Sequence, residues 1–384
     1  MAETDLHFTG GRILTPDGFD IQDLGVADGR IGGAGMRAGR RVDLTGWAVL
    51  PGIVDIHGDG FERHVAARRG ALLDMEDGLV ATEAELAANG ITTAVLAQFF
   101  SWEGGMRSPE FAERLADAWA RTAPGLATDL RLQLRLETHM IDAFPRAEAL
   151  IAQAGIGYVV FNDHLPHDRL AAGKTPPRLT GQALKSGRSP AAHLALLQDL
   201  HARSADVPAA LDALAARLTR AGHLLASHDD HTADDRRAYR ARGARVAEFP
   251  ETRAAAAEAR SGGDGIVLGA PNVVRGASHA GKVSARDLIA DGLCDALASD
   301  YHYPSPRKAA FVLSGDLGLP FAQAWALVSS GPARLLGLSD RGEIVPGKRA
   351  DLVILDPDTG RVGATLAGGR ITYLTSPLAA RFLA

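Results

Sequence analysis

Between about residues 51 and 340 the chain alternates short apolar runs with longer stretches in which apolar residues recur every three or four positions. The runs are Ile53 to His57, Ile91 to Gln98, Leu130 to Glu137, Gly157 to Asp163, Leu224 to Ser227, Ala244 to Phe249, Gly265 to Gly269 and Cys294 to Ser299. Runs of this length bounded by turn residues predict strands buried on both faces. The intervening stretches, such as PEFAERLADAWART, FPRAEALIAQAG, PAALDALAARLTRAG, DDRRAYRARG and SARDLIADG, carry helical spacing. Strict β–α alternation points to a parallel sheet, and eight strand candidates suffice to close it into a (β/α)8 TIM-type barrel of the α/β class. The region between Trp119 and Leu130 leaves open which strand in order carries Glu137. From His167 to Arg203 the pattern breaks down: Gly173, the pair Pro176-Pro177 and Gly181 to Ser189 predict a long irregular excursion, suited to a lid or substrate loop.

The two ends differ from the middle. Residues 1–50 read as short strands with turns at Thr15-Pro16-Asp17-Gly18 and Asp28-Gly29, and residues 341–384 offer at least three more, with turns at Pro346-Gly347 and Gly368-Gly369. Neither end has the apolar mass to stand alone. They are expected to pair into one small β-sandwich (1–50 plus 341–384) beside a barrel spanning 51–340.

Composition agrees with an enzyme of this size. The 384 residues are 46% hydrophobic and carry a net charge of −5, which argues against general binding to nucleic acid or to a membrane surface. A single cysteine, Cys294, excludes an internal disulfide, and no apolar run approaches the length of about 20 residues that spans a bilayer. With no signal-like start, the expected location is the cytoplasm. The oligomeric state stays open, a homo-oligomer included.

Chemistry gathers where the apolar runs stop. LPGIVDIHGDG ends in His57-x-Asp59, and side-chain alternation sends Ile53, Asp55 and His57 to one face, with Asp59 next in phase. Glu137, His164, His228 and Asp300 likewise terminate or follow apolar runs. A parallel barrel converges the carboxyl ends of its strands on one face, so these six distant residues are expected to meet there. Three imidazoles and three carboxylates could hold two divalent ions, with zinc, iron or manganese all suited to such ligands. Arg275 and Lys282, in a glycine-rich phrase after a strand, lead the candidate cations for a phosphorylated small-molecule substrate, with Arg135 and Arg169 behind them. Arg63, Arg307 and Lys308 read as surface charges or weaker candidates. His279, His64, His139 and His231 lie near strand ends and could orient ligands, and His302 could reach substrate. No nucleophile elbow, phosphate loop or dinucleotide fingerprint is present.

His57-Gly58-Asp59, Glu62, His64, Arg135-Leu136-Glu137, Asp163-His164, SHDD at 227–230, Glu248-Phe249-Pro250, GAPNVVRGASHAGKVSA at 269–285 and Ser299-Asp300-Tyr301 together resemble the amidohydrolase superfamily. Within it the similarity is to the PhnM branch, the alpha-D-ribose 1-methylphosphonate 5-triphosphate diphosphatases of phosphonate catabolism. The resemblance implies His57 and Asp59 on one metal, His164 and His228 on the other, Glu137 bridging, and Asp300 binding or deprotonating the attacking water. After Asp163-His164 this chain departs from the branch, reading Leu165-Pro166-His167-Asp168-Arg169. That departure keeps a second reading open, hydrolysis of a C–N bond in a cyclic amide or acylated amino sugar. A third, an inactive scaffold, predicts lost ligands.

Overall fold

The computed structural model describes residues 5–33, 39–66, 74–276 and 283–384. Its centre is an eight-stranded sheet whose strands neighbour one another in chain order: Ile53–Gly58, Ile91–Phe100, Asp129–Glu137, Tyr158–Asn162, Leu224–His228, Val246–Glu248, Gly265–Gly269 and Ala296–Ala298. All adjacent pairs are parallel, and a bridge from Gly58 to Asp300 joins the first strand to the end of the last. The expected (β/α)8 barrel is therefore present, with Glu137 ending its third strand. No additional strand lies between Trp119 and Leu130; that stretch holds the end of helix Pro109–Thr122, a single 3₁₀ turn and the first residue of the third strand.

The helices form where sequence and capping agree. Ser108 accepts the amide of Phe111 ahead of Pro109, and helix Pro109–Thr122 then buries Phe111, Ala112, Leu115, Ala116 and Ala118 against the barrel. Inside the barrel, Ile56, Val95, Val160, Ala226, Val246, Val267 and Ala296 fill the amino-terminal half. The carboxyl half is polar, and this division positions the site.

The chain ends build two further sheets. Strand Leu352–Leu355 pairs antiparallel with Ala48–Pro51 inside a six-stranded sheet, facing a four-stranded sheet formed by Leu6–Thr9 and its neighbours. Leu6, Phe8, Ile13, Val42, Val49, Ile354 and Leu366 are buried in their shared core, which the terminal helix Ser376–Leu383 completes with Leu378 and Phe382. Gly52 carries the chain from this core into the barrel, where a Cβ would lie 2.3 Å from Thr92 Oγ1.

The stretch from His167 to Arg203 is not the irregular loop its prolines and glycines suggest. It folds as helices His167–Ala171, Leu179–Lys185 and Pro190–Ala202, and a further helix, Val207–Arg220, follows. Leu165, Leu179 and Leu197 pack with Trp102 in a cluster of their own at the barrel's carboxyl side. Pro190 stands at the first turn of its helix, where its missing N–H costs nothing, and Ser189 caps it. Among the described residues, no helix is long and apolar enough to cross a membrane.

Candidate metal and substrate site

Barrel closure sets the site. Asp300 N donates to His57 O at 3.0 Å and Asp59 N donates to Asp300 O at 2.8 Å. Beneath them the buried Asp55 carboxylate accepts from Ser299 N at 2.8 Å and Ser299 Oγ at 2.5 Å. The first and eighth strands are thus locked with His57, Asp59 and Asp300 at one end of the barrel. Burial pushes Asp55 up to about 7, against the pull of the Ser299 bonds. Burial, with Asp59 beside it, raises Asp300 to about 6.

At the ends of barrel strands, three described non-glycine residues adopt left-handed backbone: Asp229 (φ 61°), Phe249 (φ 52°) and Asp300 (φ 56°). Such conformations cost on the order of 1–3 kcal/mol each and gather at functional sites. Phe249 shows what the turn achieves, because its ring meets His57 and His228 edge-on, with centroids 5.0 and 5.1 Å away.

Each of two imidazoles rests on a buried glutamate. His57 Nδ1 lies 2.8 Å from Glu248 Oε2, while Glu248 Oε1 accepts from Tyr158 OH at 2.6 Å and Gln133 Nε2 at 2.8 Å. Burial alone would raise the Glu248 carboxyl, but His57 and these donors hold it down at about 2. An ionised Glu248 fixes the proton on His57 Nδ1, leaving Nε2 buried with no hydrogen-bond partner. On the other side, His164 Nδ1 meets Glu137 Oε1 at 2.5 Å, and Glu137 Oε2 accepts from Trp102 Nε1 and His164 N. These bonds set Glu137 against His164, the carboxylate and imidazole that the resemblance places together at the metals. Glu137 and His164 also bring ligand atoms within 4.8 Å of Glu103.

His228 joins the two sides. It lies within 4.8 Å, ligand atom to ligand atom, of His57 with Glu248 and of His164 with Asp229. Burial lowers it to about 4, so the ring is neutral and can act as a ligand. The Arg135 guanidinium occupies the centre, with Nη2 3.0 Å from His228 Nε2, Nη1 3.7 Å from Asp59 Oδ2 and its carbon 3.8 Å from the Phe99 ring centroid. A cation is therefore already favoured among these groups. The unpartnered His57 Nε2, the neutral His228 and the surrounding carboxylates fit a divalent metal ion, whose binding at His228 Nε2 and the present Arg135 contact exclude each other.

A cavity of about 330 Å³ opens over this cluster and is lined by Asp59, Arg135, His164, His228, Asp300 and Arg275. Arg275 is exposed at its rim, with Nη2 donating to Asn272 Oδ1 at 2.9 Å. Lys282 and His279 fall outside the described residues. Arg169 is exposed on helix His167–Ala171 and is not among the residues lining this cavity. Of the weaker histidines, His64 bonds Glu85 at 2.6 Å, His231 bonds Glu251 at 3.1 Å and His302 bonds Ser305 at 2.8 Å. Arg63 pairs with the same Glu85, and Arg307 bonds Gly360 O.

Three participants escaped the sequence reading. Arg107, which also lines the cavity, pairs with Glu103 and lies 3.9 Å from the Phe99 ring centroid. Glu248 was visible only as part of a motif. Gln133 is in phase with Arg135 and Glu137 on a strand buried on both sides, so alternation alone marked it as facing inward.

Comparison with known proteins decides the family. A model of the amidohydrolase family matches residues 84–373. The chain belongs to the amidohydrolase family. An Escherichia coli (strain K12) relative of this amidohydrolase, alpha-D-ribose 1-methylphosphonate 5-triphosphate diphosphatase, is 34% identical over 316 residues, covering 80% of this chain and 83% of the relative. A D-hydantoinase from Rhizobium radiobacter is 43% identical over 56 residues, 14% of this chain and 12% of the relative. Among solved structures, a Xaa-Pro dipeptidase with bound methionine superposes with a TM-score of 0.65 at 15% identity, over 97% of this chain and 100% of that one. The N-acetylglucosamine-6-phosphate deacetylase of Pasteurella multocida gives 0.63 at 12%, over 96% and 99%. These similarities at low identity describe the shared fold.

The Glu248–His57 pair yields a prediction for this amidohydrolase. Glu248→Gln removes the charge that fixes the His57 tautomer while keeping the volume, and is expected to weaken metal affinity about 10- to 100-fold. Competition with a chromophoric chelator measures this. Affinity within a factor of two of the wild type would show that Glu248 serves packing alone.

Proposed function

We propose that this amidohydrolase is a metal-dependent diphosphatase that cleaves alpha-D-ribose 1-methylphosphonate 5-triphosphate to the 5-phosphate and pyrophosphate. The observation that carries the reading is the cation-lined cavity, where Arg107, Arg135 and Arg275 share the wall with His164, His228 and Asp300. It is supported by 34% identity over 80% of the chain to an Escherichia coli protein of that name.

We assign His57, Asp59, Glu137, His164, His228 and Asp300 to hold two divalent ions, zinc by preference for such nitrogen and oxygen donors, with Glu248 fixing the His57 imidazole. When bound, metal at this position supplies water activation at neutral pH and neutralises phosphoryl oxygens. The chain does the rest. Asp300, held against Asp59 and His57 by the barrel closure, accepts the proton of the attacking water. The water oxygen bonds to the alpha phosphorus, the bond from that phosphorus to the bridging oxygen breaks, and pyrophosphate leaves with the electron pair. Arg135 and Arg275 bind the anionic oxygens, their planar forks matching phosphate geometry. Charge stabilisation of this kind is the main requirement of phosphoryl transfer.

Turnover of the triphosphate by zinc-reconstituted protein, followed by phosphorus NMR, is expected to release pyrophosphate and to stop on chelation. A loaded enzyme that leaves the triphosphate intact but hydrolyses cyclic amides or acylated amino sugars would overturn the phosphate reading.

A further inference from the structure

A second cluster of metal-ligand side chains lies beside the hydrolase site and shares no residue with it. His139 follows the third barrel strand, Asp163 follows the fourth, and His167 opens the helix His167–Ala171. One ligand atom of each lies within 4.8 Å of the others. His139 Nδ1 is 3.5 Å from Asp163 Oδ1, and His167 Nε2 is 3.0 Å from both Asp163 oxygens. Tetrahedral zinc with nitrogen and oxygen ligands at about 2.0–2.2 Å has ligand-to-ligand edges of about 3.3–3.5 Å, so these separations need only small adjustments.

The remaining ring nitrogens are also accounted for. His139 Nε2 lies 3.2 Å from Ser204 Oγ, and that hydroxyl gives its own proton to His201 O at 2.6 Å. Ser204 must therefore accept from His139 Nε2–H, which leaves the Nδ1 lone pair of a neutral ring facing the Asp163 carboxylate. Two acceptors face each other there; the Thr138 hydroxyl, 3.3 Å from His139 Nδ1, can satisfy the nitrogen, and the main-chain donor to the carboxylate is Leu165 N, 3.2 Å from Asp163 Oδ1. His167 Nδ1 lies 2.8 Å from His201 Nδ1, so His201 can take the proton that frees His167 Nε2 for a metal. Imidazoles whose second nitrogen is anchored in this way are the usual support of a metal site.

We propose that His139, Asp163 and His167 bind an additional divalent transition-metal ion of the zinc class. The ion clamps the helical segment from Leu165 to Ser204 onto the ends of the third and fourth barrel strands. His201 and Ser204, at the far end of that segment, hold the two imidazoles, so one ion ties together both ends of the excursion and the barrel rim. Neither the ligands nor the argument depends on which bond the hydrolase centre cleaves.

Metal content tests this directly. Chelator-stripped protein is reloaded with zinc, desalted and analysed by plasma mass spectrometry. The His139→Gln/His167→Gln double variant is expected to bind one equivalent less than the wild type and to lose part of the zinc-dependent rise in melting temperature. Equal metal content in a folded double variant overturns the site. Should that variant fail to fold, His201→Phe removes no ligand and is expected to weaken the third ion's binding about 10- to 100-fold in chelator competition; unchanged affinities overturn the proposal equally. Pyrophosphate release reports on the hydrolase reading alone, so the two proposals fail separately.

Discussion

Asp300→Asn is expected to lower kcat on the reacting triphosphate by about 10²- to 10⁴-fold, the range a positioned general base contributes. The backbone gives Asp300 its place: its N–H and C=O are both committed to His57 and Asp59, which holds the carboxyl at the junction of the first and last strands. Asparagine keeps the volume and tolerates the left-handed conformation (φ 56°), so the closure survives while the proton acceptor is lost. KM is expected to change far less than kcat, because the binding cations Arg107, Arg135 and Arg275 are untouched. Metal content of the variant, measured alongside, separates a lost base from a lost ligand. A kcat within tenfold of the wild type, with metals bound, would remove Asp300 from the chemistry.

The barrel was legible because its strands are buried on both faces and therefore appear as unbroken apolar runs between turn residues. Its closure also placed the site: a His, Asp or Glu ending such a run lands at the carboxyl mouth whatever its distance in sequence. Local signals do not reveal who pairs with whom. Glu248 near the end of the run Ala244 to Phe249 is placed at the mouth, but its partner His57 is 191 positions away. The excursion from His167 defeats a local reading because its Pro and Gly residues signal breaks, although Ser189-Pro190 is a cap followed by a first-turn proline. Its packing leucines, Leu179 and Leu197, bury against Trp102 from a different part of the chain, a contact no local window contains.

The same limit hid the residue with the largest expected effect on stability. DDRRAYRARG carries helical spacing and is densely charged, yet Arg236 within it is fully buried. Its guanidinium donates to Ser227 Oγ at 2.8 Å, Val246 O at 3.1 Å and Ala244 O at 2.7 Å. It also pairs with Asp230 at 3.3 Å and Asp264 at 3.2 Å. One side chain thus ties the fifth strand, the following helix and the sixth strand together, directly behind His228 and Glu248. Arg236→Met keeps the apolar stem but removes the buried cation between Asp230 and Asp264, leaving them only Ser227 Oγ and Arg240 Nε, each at 2.7 Å, and takes a donor from two carbonyls. Removing one partner of such a network costs about 3–5 kcal/mol, a large share of the stability of an ordinary domain. Arg236→Lys is expected to recover little, because a single ammonium cannot reach the five acceptors the planar fork serves. Chemical denaturation of the three proteins decides it: a loss below about 1 kcal/mol for Arg236→Met, the scale of an exposed pair, would show that Asp230 and Asp264 find other partners and that the network is not what aligns the strands beneath the site.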